Sequence, residues 1–356
     1  MVTSATLEQE GKHPNWIFMV TIAQSLYGWF RCQNMLQVLQ IVLPVCLLIL
    51  IGFLSRNFGL VRQSADEVIG DFVFKIAIPV LLFRLLATAE LEGVDPWAIW
   101  GTYFISVAVI WLLAATLLPL LFGREALYGV IGAVASAFAN TVLIGIPLVI
   151  QAYGEEGMVS LTIVLSIHLP LMLFATVMHH DIAQTIDGKG GIVGETVADK
   201  VKRFFKTIFT NPIMLGIFGG GLYRLTGFDL PPILDDVTQT LATIAGPLAL
   251  IVLGMGLQKY GLTGNLGPAC LTTFLKLFVM PALVLSLGHF VFELPPLFTA
   301  GLLIAAAAPS GVNSYLFAQH FGTGQALSAN SISVSTPLSI VTISIWLLIL
   351  KTYITV

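Results

Sequence analysis

Charge is what this sequence has least of. Lys, Arg, Asp and Glu make up 10% of its 356 residues, against about 25% in a soluble domain. With 57% hydrophobic residues beside them, that scarcity excludes a water-soluble globular protein. No excess of one sign takes its place: 16 basic against 19 acidic residues leave a net charge of −3, which excludes a basic face for nucleic acid. Cysteine is equally sparse. Cys32, Cys46 and Cys270 stand far apart in or beside apolar segments, which excludes a disulfide framework or a metal site built on them. Also missing are the H-E-x-x-H, G-x-S-x-G and G-x-x-x-x-G-K spacings of metalloproteases, serine hydrolases and nucleotide-binding loops. The chain therefore reads as a non-enzyme without cofactor or metal. Any transport it performs runs on a gradient, the membrane potential or a coupled ion.

What is abundant is long apolar sequence. Runs of about 20 residues, enough to cross a hydrocarbon core about 30 Å thick, recur ten times. They lie near 36–54, 67–88, 97–122, 127–151, 157–178, 205–223, 236–257, 267–291, 297–319 and 326–350. The expectation is an all-α polytopic membrane protein. Residues 1–34 read as an interfacial or poorly ordered extension, 35–178 as a first five-helix repeat, 179–204 as a polar cytoplasmic loop, and 205–351 as a second five-helix repeat. Lys and Arg gather between alternate runs (Arg56, Arg62, Arg124, the central loop, Lys259), with Arg224 as the exception, so the positive-inside rule puts both termini outside.

The two halves match at a constant spacing. Pro44 and Pro212, Gly52 and Gly220, Arg56 and Arg224, Gly59 and Gly227, and Pro79 and Pro247 are each 168 residues apart (44 to 212, 52 to 220 and so on). An odd number of spans per copy makes the second copy enter from the opposite face. That is an inverted repeat, common among secondary transporters, whose sites lie where broken helices meet near the midplane.

Two runs carry breakers in their middles. Pro147 removes a backbone donor and clashes with the preceding turn, and Gly145 loosens it, so the fourth run is expected to be broken or kinked ahead of Pro147. The ninth run holds Pro309, Ser310, Gly311, Asn313 and Ser314. A proline suits the first turn of the helix it opens, so each break is expected to present free amides at a half-helix N-terminus. Such an end favours an anion by about 0.3–1 kcal/mol.

"NTVLIGIPLVIQAYG" (140–154) closely resembles the N-T-x-x-x-G-I-P-L stretch of the auxin efflux carrier family, which includes plant PIN carriers and bacterial carboxylate carriers of the malonate type. "MLQVLQIVLPVCLLILIGFLSRNFGL" (35–60), "IAIPVLLFRLLA" (76–87) and "AAPSGVNSYLFAQHFG" (307–322) resemble its first, second and ninth spans. The resemblance runs from about 35 to 350 and implies a ten-helix elevator-type carrier. In it, spans four and nine cross, and spans one, two, six and seven form a scaffold that dimerises through helices two and seven. The central loop is far shorter than that of long plant members, and residues 1–34 have no counterpart.

Asn140, Thr141, Gly145, Pro147, Pro309, Ser310, Gly311 and Asn313 are thus the candidate substrate-binding residues. Asn140 has two readings, a substrate contact or a cap for freed backbone groups. Lys75 and His168 are candidate coupling groups. Against that, Lys75 has Asp71 one turn away, Lys75 and Lys276 are both long enough to snorkel to the interface, and His168 fits equally well as a structural histidine. His179, His180 and Asp181 read as a solvated helix end. The expected function is a secondary carrier of small organic carboxylate anions, auxin-like or dicarboxylate, in the plasma membrane. Its partners are the substrate, the lipid bilayer and a second copy of the chain. The alternatives are a sodium- or proton-coupled carrier of the bile-acid type and a non-transporting carboxylate sensor.

Overall fold

The structure, a computed structural model, describes residues 15–88, 95–188, 202, 205–206, 209–259, 262, 264 and 266–353. Among the described residues regular structure is helical, and the one strand-like feature is an antiparallel bridge between Ala139 and Ser310. The helices are α1 (Asn15–Asn57), α2 (Ala65–Phe72), α3 (Ile78–Thr88), α4 (Pro96–Phe122), α5 (Ala126–Ala137), α6 (Ile146–Ile186) and α7 (Pro212–Arg224). They continue with α8 (Pro232–Gly256), α9 (Gly267–Phe274), α10 (Met280–Ser286), α11 (Pro296–Ala307), α12 (Asn313–Phe321) and α13 (Gln325–Tyr353). Six helical stretches are long and apolar enough to cross a membrane, and the shorter apolar helices α5 and α11 end at the two breaks. The chain is an all-helical, multi-pass membrane protein.

Prolines shape these helices in two ways. Pro79, Pro147 and Pro281 each follow a π-turn by two residues: Val73–Ala77, Thr141–Gly145 and Leu275–Val279. A proline ring collides with the carbonyl one turn earlier and offers no N–H, and widening that turn by one residue absorbs both defects without ending the helix. Pro309 acts differently. The residue before a proline is pushed out of the helical region, and Ala308, at φ −59 and ψ 144, ends α11.

The fourth run is thus distorted ahead of Pro147, as expected, but the proline itself accounts only for the π-turn. The backbone leaves the helix at Phe138 to Asn140, ahead of the π-turn, where residues of the other break satisfy its polar groups. α6 joins the end of the fourth expected run to the whole of the fifth and bends at Gly154, whose φ of 65 and ψ of −159 suit only glycine. It continues through His179 to Ile186, into the segment expected to be loop, and residues 189–201 lie outside the described ones. The Asp187 carboxylate accepts hydrogen bonds from the Ala126 and Leu127 amides at 2.8 and 2.9 Å, tying this end of α6 to the start of α5. Nor is the histidine cluster a solvated end: His180 is buried and stacks on Phe321 at 3.9 Å, and His179 accepts from the Trp111 indole at 3.1 Å. At the amino end α1 begins at Asn15 and runs without a break into the first apolar run, and residues 1–14 lie outside the described ones.

Glycine sets the closest helix contacts. A Cβ on Gly52 would lie 2.1 Å from the Ile251 carbonyl oxygen, so α1 and α8 meet backbone to backbone. A Cβ on Gly220 would lie 2.2 Å from the Phe83 carbonyl oxygen, so α3 and α7 do the same. These contacts are related by the spacing seen in the sequence, since 52 to 220 and 83 to 251 are both 168 residues. Ion pairs of Arg84 with Asp235 and of Arg56 with Asp66 reinforce the group formed by α1, α2, α3, α7 and α8. The remaining helices pack around the two breaks.

Candidate substrate site

The two breaks cross. The Asn140 amide donates to the Pro309 carbonyl at 2.8 Å, and the Gly311 amide donates to the Phe138 carbonyl at 2.9 Å. Freed backbone groups survive inside a membrane only when protein or a polar cavity satisfies them, and here each break serves the other. Gly311 permits the approach: a Cβ there would sit 2.9 Å from the Phe138 oxygen and 3.3 Å from the Ala139 oxygen.

Four helix ends meet at this point, and their electrostatics differ. α5 and α11 arrive with their C-termini, which carry partial negative charge. Both are answered by a side-chain donor. The Ser310 hydroxyl donates to the Ala135 carbonyl at 2.7 Å, and the Lys276 ammonium donates to the Ala306 carbonyl at 2.5 Å. The π-turn opening at Thr141 and α12 opening at Asn313 leave with their N-termini, which carry partial positive charge. α12 has no side-chain cap, and the Asn140 carboxamide oxygen reaches the Leu143 amide only at 3.4 Å. The crossing thus neutralises its negative ends with side-chain donors; at α12 the Ser314 and Tyr315 amides turn back on the Gly311 and Val312 carbonyls, so that end keeps its partial positive charge without a charged cap.

Those ends face a cavity of about 410 Å³, within the range of small-molecule sites. Asn140, Thr141, Gly311, Asn313 and His168 line it from the crossing side, and Phe74, Lys75, Asn211 and Met214 line it from α7 and the α2–α3 turn. Its walls are otherwise apolar, with Phe138, Leu143, Leu165, Val312 and Leu316. His168 is 1% exposed, ringed by Tyr103, Phe104 and Phe138 at centroid distances of 5.2 to 6.1 Å, and neither ring nitrogen has a hydrogen-bond partner among the described residues. Lys75 pairs with Asp71 at 2.8 Å, the i,i+4 arrangement weighed from sequence.

The other candidates lie elsewhere. Pro147 lines a second cavity of about 240 Å³ with Pro44, Gln151, Gln239 and Thr243. Gly145 is buried, with Thr141 and Ala305 nearest to where its side chain would be. Pro309 lies in the break, four residues before α12 starts, and contributes its carbonyl to the crossing. Ser310 is wholly buried and fully used, its amide donating to the Ser335 hydroxyl at 3.1 Å.

Two residues that sequence reasoning undervalued matter here. Asn211 caps α7 at the cavity wall, accepting from the Ile213 and Met214 amides at 2.9 and 3.3 Å. Its signal was the Asn-Pro step, a helix start hidden inside an apolar run. Lys276 does not snorkel: it is fully buried.

The Ser335 hydroxyl accepts from a buried amide in the break, so its loss should be felt. Ser335→Ala is expected to cost about 1–3 kcal/mol by stranding the Ser310 N–H. Ser339→Ala removes a hydroxyl bonded only to a helical carbonyl at 2.6 Å and is expected to cost less. Thermal unfolding of both purified variants gives the comparison, and equal losses would mean that Ser335 does not support the break.

Comparison with known proteins points the same way as the crossing. A family model described as "Membrane transport protein" matches residues 37–347. The "Putative malonate transporter" of Rhizobium meliloti is 24% identical over 323 residues, covering 87% of this chain and 95% of that protein. An "Uncharacterized transporter" of Methanothermobacter thermautotrophicus is 24% identical over 319 residues, covering 87% and 97%. "Auxin efflux carrier component 8" of Arabidopsis thaliana is 22% identical over 331 residues, covering 80% and 89%. With residues 37–347 matched, most of its length, the chain belongs to the auxin efflux carrier family of membrane transport proteins.

Proposed function

We propose that this transporter is a secondary carrier of small organic carboxylate anions. The observation that carries this reading is the crossing itself, where the amide dipoles of two helix N-termini converge on a cavity lined by Asn140, Thr141, Asn313 and Lys75 and by no carboxylate, while both C-termini are neutralised. A carboxylate accepts from such amides and from the carboxamide N–H groups of Asn140 and Asn313, and the apolar walls take its carbon body. The names of two relatives, one carrying malonate and one auxin, are consistent with a carboxylate cargo.

The proposed architecture is ten spans in a five-plus-five inverted repeat, divided at the central segment 179–204, with spans four and nine crossing. Supporting it, the two cavities are lined by residues related by the repeat: Phe74, Lys75, Pro212 and Ile213 in one, Ala242, Thr243, Pro44 and Val45 in the other. Each lies between the glycine-packed helices and the crossing. That placement suits an elevator mechanism, in which the crossing slides against a fixed scaffold and opens each cavity in turn. The scaffold is proposed to dimerise through spans two and seven. The bias of Lys and Arg puts the Lys75 cavity on the cytoplasmic side of the plasma membrane and both termini outside. Tags at Glu155 and Lys351 are then expected to label from outside, and a tag at Lys202 only after permeabilisation. Labelling at Lys202 in intact cells contradicts this orientation.

The functional test is binding followed by flux. A carboxylate at 100 times its Kd is expected to stabilise the purified carrier by about 2.7 kcal/mol, and the same compound is expected to enter proteoliposomes. A panel of acetate, malonate, malate and indole-3-acetate covers the charge and size range. Stabilisation by none of them removes the carboxylate reading. Stabilisation without flux turns the protein into a sensor.

A further inference from the structure

Lys276 is the charge for which no role has yet been given. Across the apolar runs 97–122, 127–151, 157–178, 267–291, 297–319 and 326–350, which contain the crossing and the helices packed on it, Lys276 is the one Lys, Arg, Asp or Glu. It lies in the π-turn Leu275–Val279 and is 0% exposed. Its ammonium donates to the Ala306 carbonyl at 2.5 Å and to the Met280 sulfur at 3.2 Å, and no carboxylate pairs with it among the described residues. Charge placed inside a membrane without a counter-ion is costly. The C-terminus of α11 offsets only part of it, since a helix end amounts to roughly half an elementary charge. The Lys276 ammonium therefore stands behind the crossing, held at the Ala306 carbonyl five residues before Gly311, which lines the cavity. The cation that lines the cavity, Lys75, is already balanced by Asp71 at 2.8 Å and stands on the α2–α3 turn, outside the crossing.

We propose that Lys276 is the counter-charge of the translocated anion: fixed to the α11 end of the crossing, its ammonium balances a bound monocarboxylate, so that the loaded crossing traverses the membrane electrically neutral. This rests on the carboxylate-carrier reading above. With Lys276 the one Lys, Arg, Asp or Glu in these runs, the loaded crossing carries one positive and one negative charge. Emptied, it carries the positive charge alone. The membrane potential then acts on the return of the empty carrier and not on the loaded step. Lys276 does not touch the cargo; its role is electrostatic, and it sets a preference for one negative charge over none.

Exchange measurements separate the two steps. In proteoliposomes with saturating indole-3-acetate on both sides, only the loaded carrier shuttles, whereas net uptake also needs the empty return. Exchange by the parental carrier is expected to change less than twofold between 0 and about −100 mV set by potassium and valinomycin. Net uptake is expected to respond severalfold. A bare charge crossing the whole field would change the equilibrium by about fiftyfold. Lys276→Gln is expected to make exchange voltage-dependent and to weaken indole-3-acetate binding on the order of tenfold. It should leave binding of the neutral indole-3-acetamide unchanged, and Lys276→Arg should retain the parental behaviour. A purely structural lysine would lower affinity for acid and amide alike and leave exchange independent of voltage. Lys276→Met serves if Lys276→Gln does not fold, and the parental measurement stands without any variant. Voltage-dependent exchange by the parental protein, or Lys276→Gln with parental acid affinity and voltage independence, overturns the assignment alone. Failure of the parental protein to bind or move any carboxylate of the panel removes the functional reading and the assignment with it.

Discussion

Asn140→Asp is expected to weaken carboxylate binding on the order of a thousandfold while leaving the fold in place. The side chain lines the cavity at the open end of the Thr141 π-turn, and its oxygen reaches the Leu143 amide at 3.4 Å. Aspartate is as good a helix cap as asparagine, so the local backbone keeps its partner. What changes is the charge presented to the cargo. Two like charges about 4 Å apart at an effective dielectric near 20 repel by roughly 4 kcal/mol. At about 1.4 kcal/mol per factor of ten, that is the thousandfold loss. Protonation of the introduced carboxyl removes the repulsion, so affinity should recover as the pH falls. Asn140→Ala is expected to lose less, because it removes a donor without adding a charge. Titration calorimetry at neutral and acid pH, on protein purified in parental yield, makes the comparison. Parental affinity of well-folded Asn140→Asp at neutral pH would show that Asn140 is a cap alone and that the anion binds elsewhere.

Adjacent glycines on α7 are expected to respond in opposite directions to the same change. A Cβ on Gly220 would lie 2.2 Å from the Phe83 carbonyl oxygen, a backbone atom that moves only if α3 and α7 separate. Gly220→Ala is therefore expected to cost about 1–3 kcal/mol or more. Gly221 has nothing within 4 Å of its would-be Cβ. Gly221→Ala is expected to stabilise by about 0.4–1 kcal/mol, because alanine has fewer unfolded conformations to lose. Gly52→Ala, whose Cβ would meet the Ile251 carbonyl oxygen at 2.1 Å, should resemble Gly220→Ala. Thermal unfolding in one detergent is sufficient to compare the three. Equal shifts for the two α7 variants would mean that the glycine contact does not hold these helices together.

Much of this was legible before any coordinates. A chain with 10% charged residues and repeated apolar runs has no soluble fold open to it, and composition alone places it in a bilayer. The break at Ala308 follows from the proline after it, a steric rule that acts between neighbours. The 168-residue spacing pointed to the paired glycines whose contacts the fold then made equivalent. The family was readable in the stretch from Asn140 to Gly154, because that stretch is local.

Partners across helices were not legible. Pro147 reads from sequence as the cause of the fourth-span break, yet its clash is absorbed by a π-turn, and the backbone opens at Phe138 to Asn140 instead because Pro309 and Gly311 supply the missing hydrogen bonds there. Ser310 bonds to Ala135, 175 residues away, and so is occupied within the crossing. Lys276 is long enough to snorkel, and its contacts with Met280 and with Ala306, 30 residues on, hold its ammonium behind the crossing instead. Steric rules, periodicity and composition act over a turn of chain, so the sequence by itself determined the membrane class, the family and the presence of breaks. Which helix ends stay open, which are capped and where the unpaired charge sits depend on contacts between distant segments, and those only the tertiary structure decided.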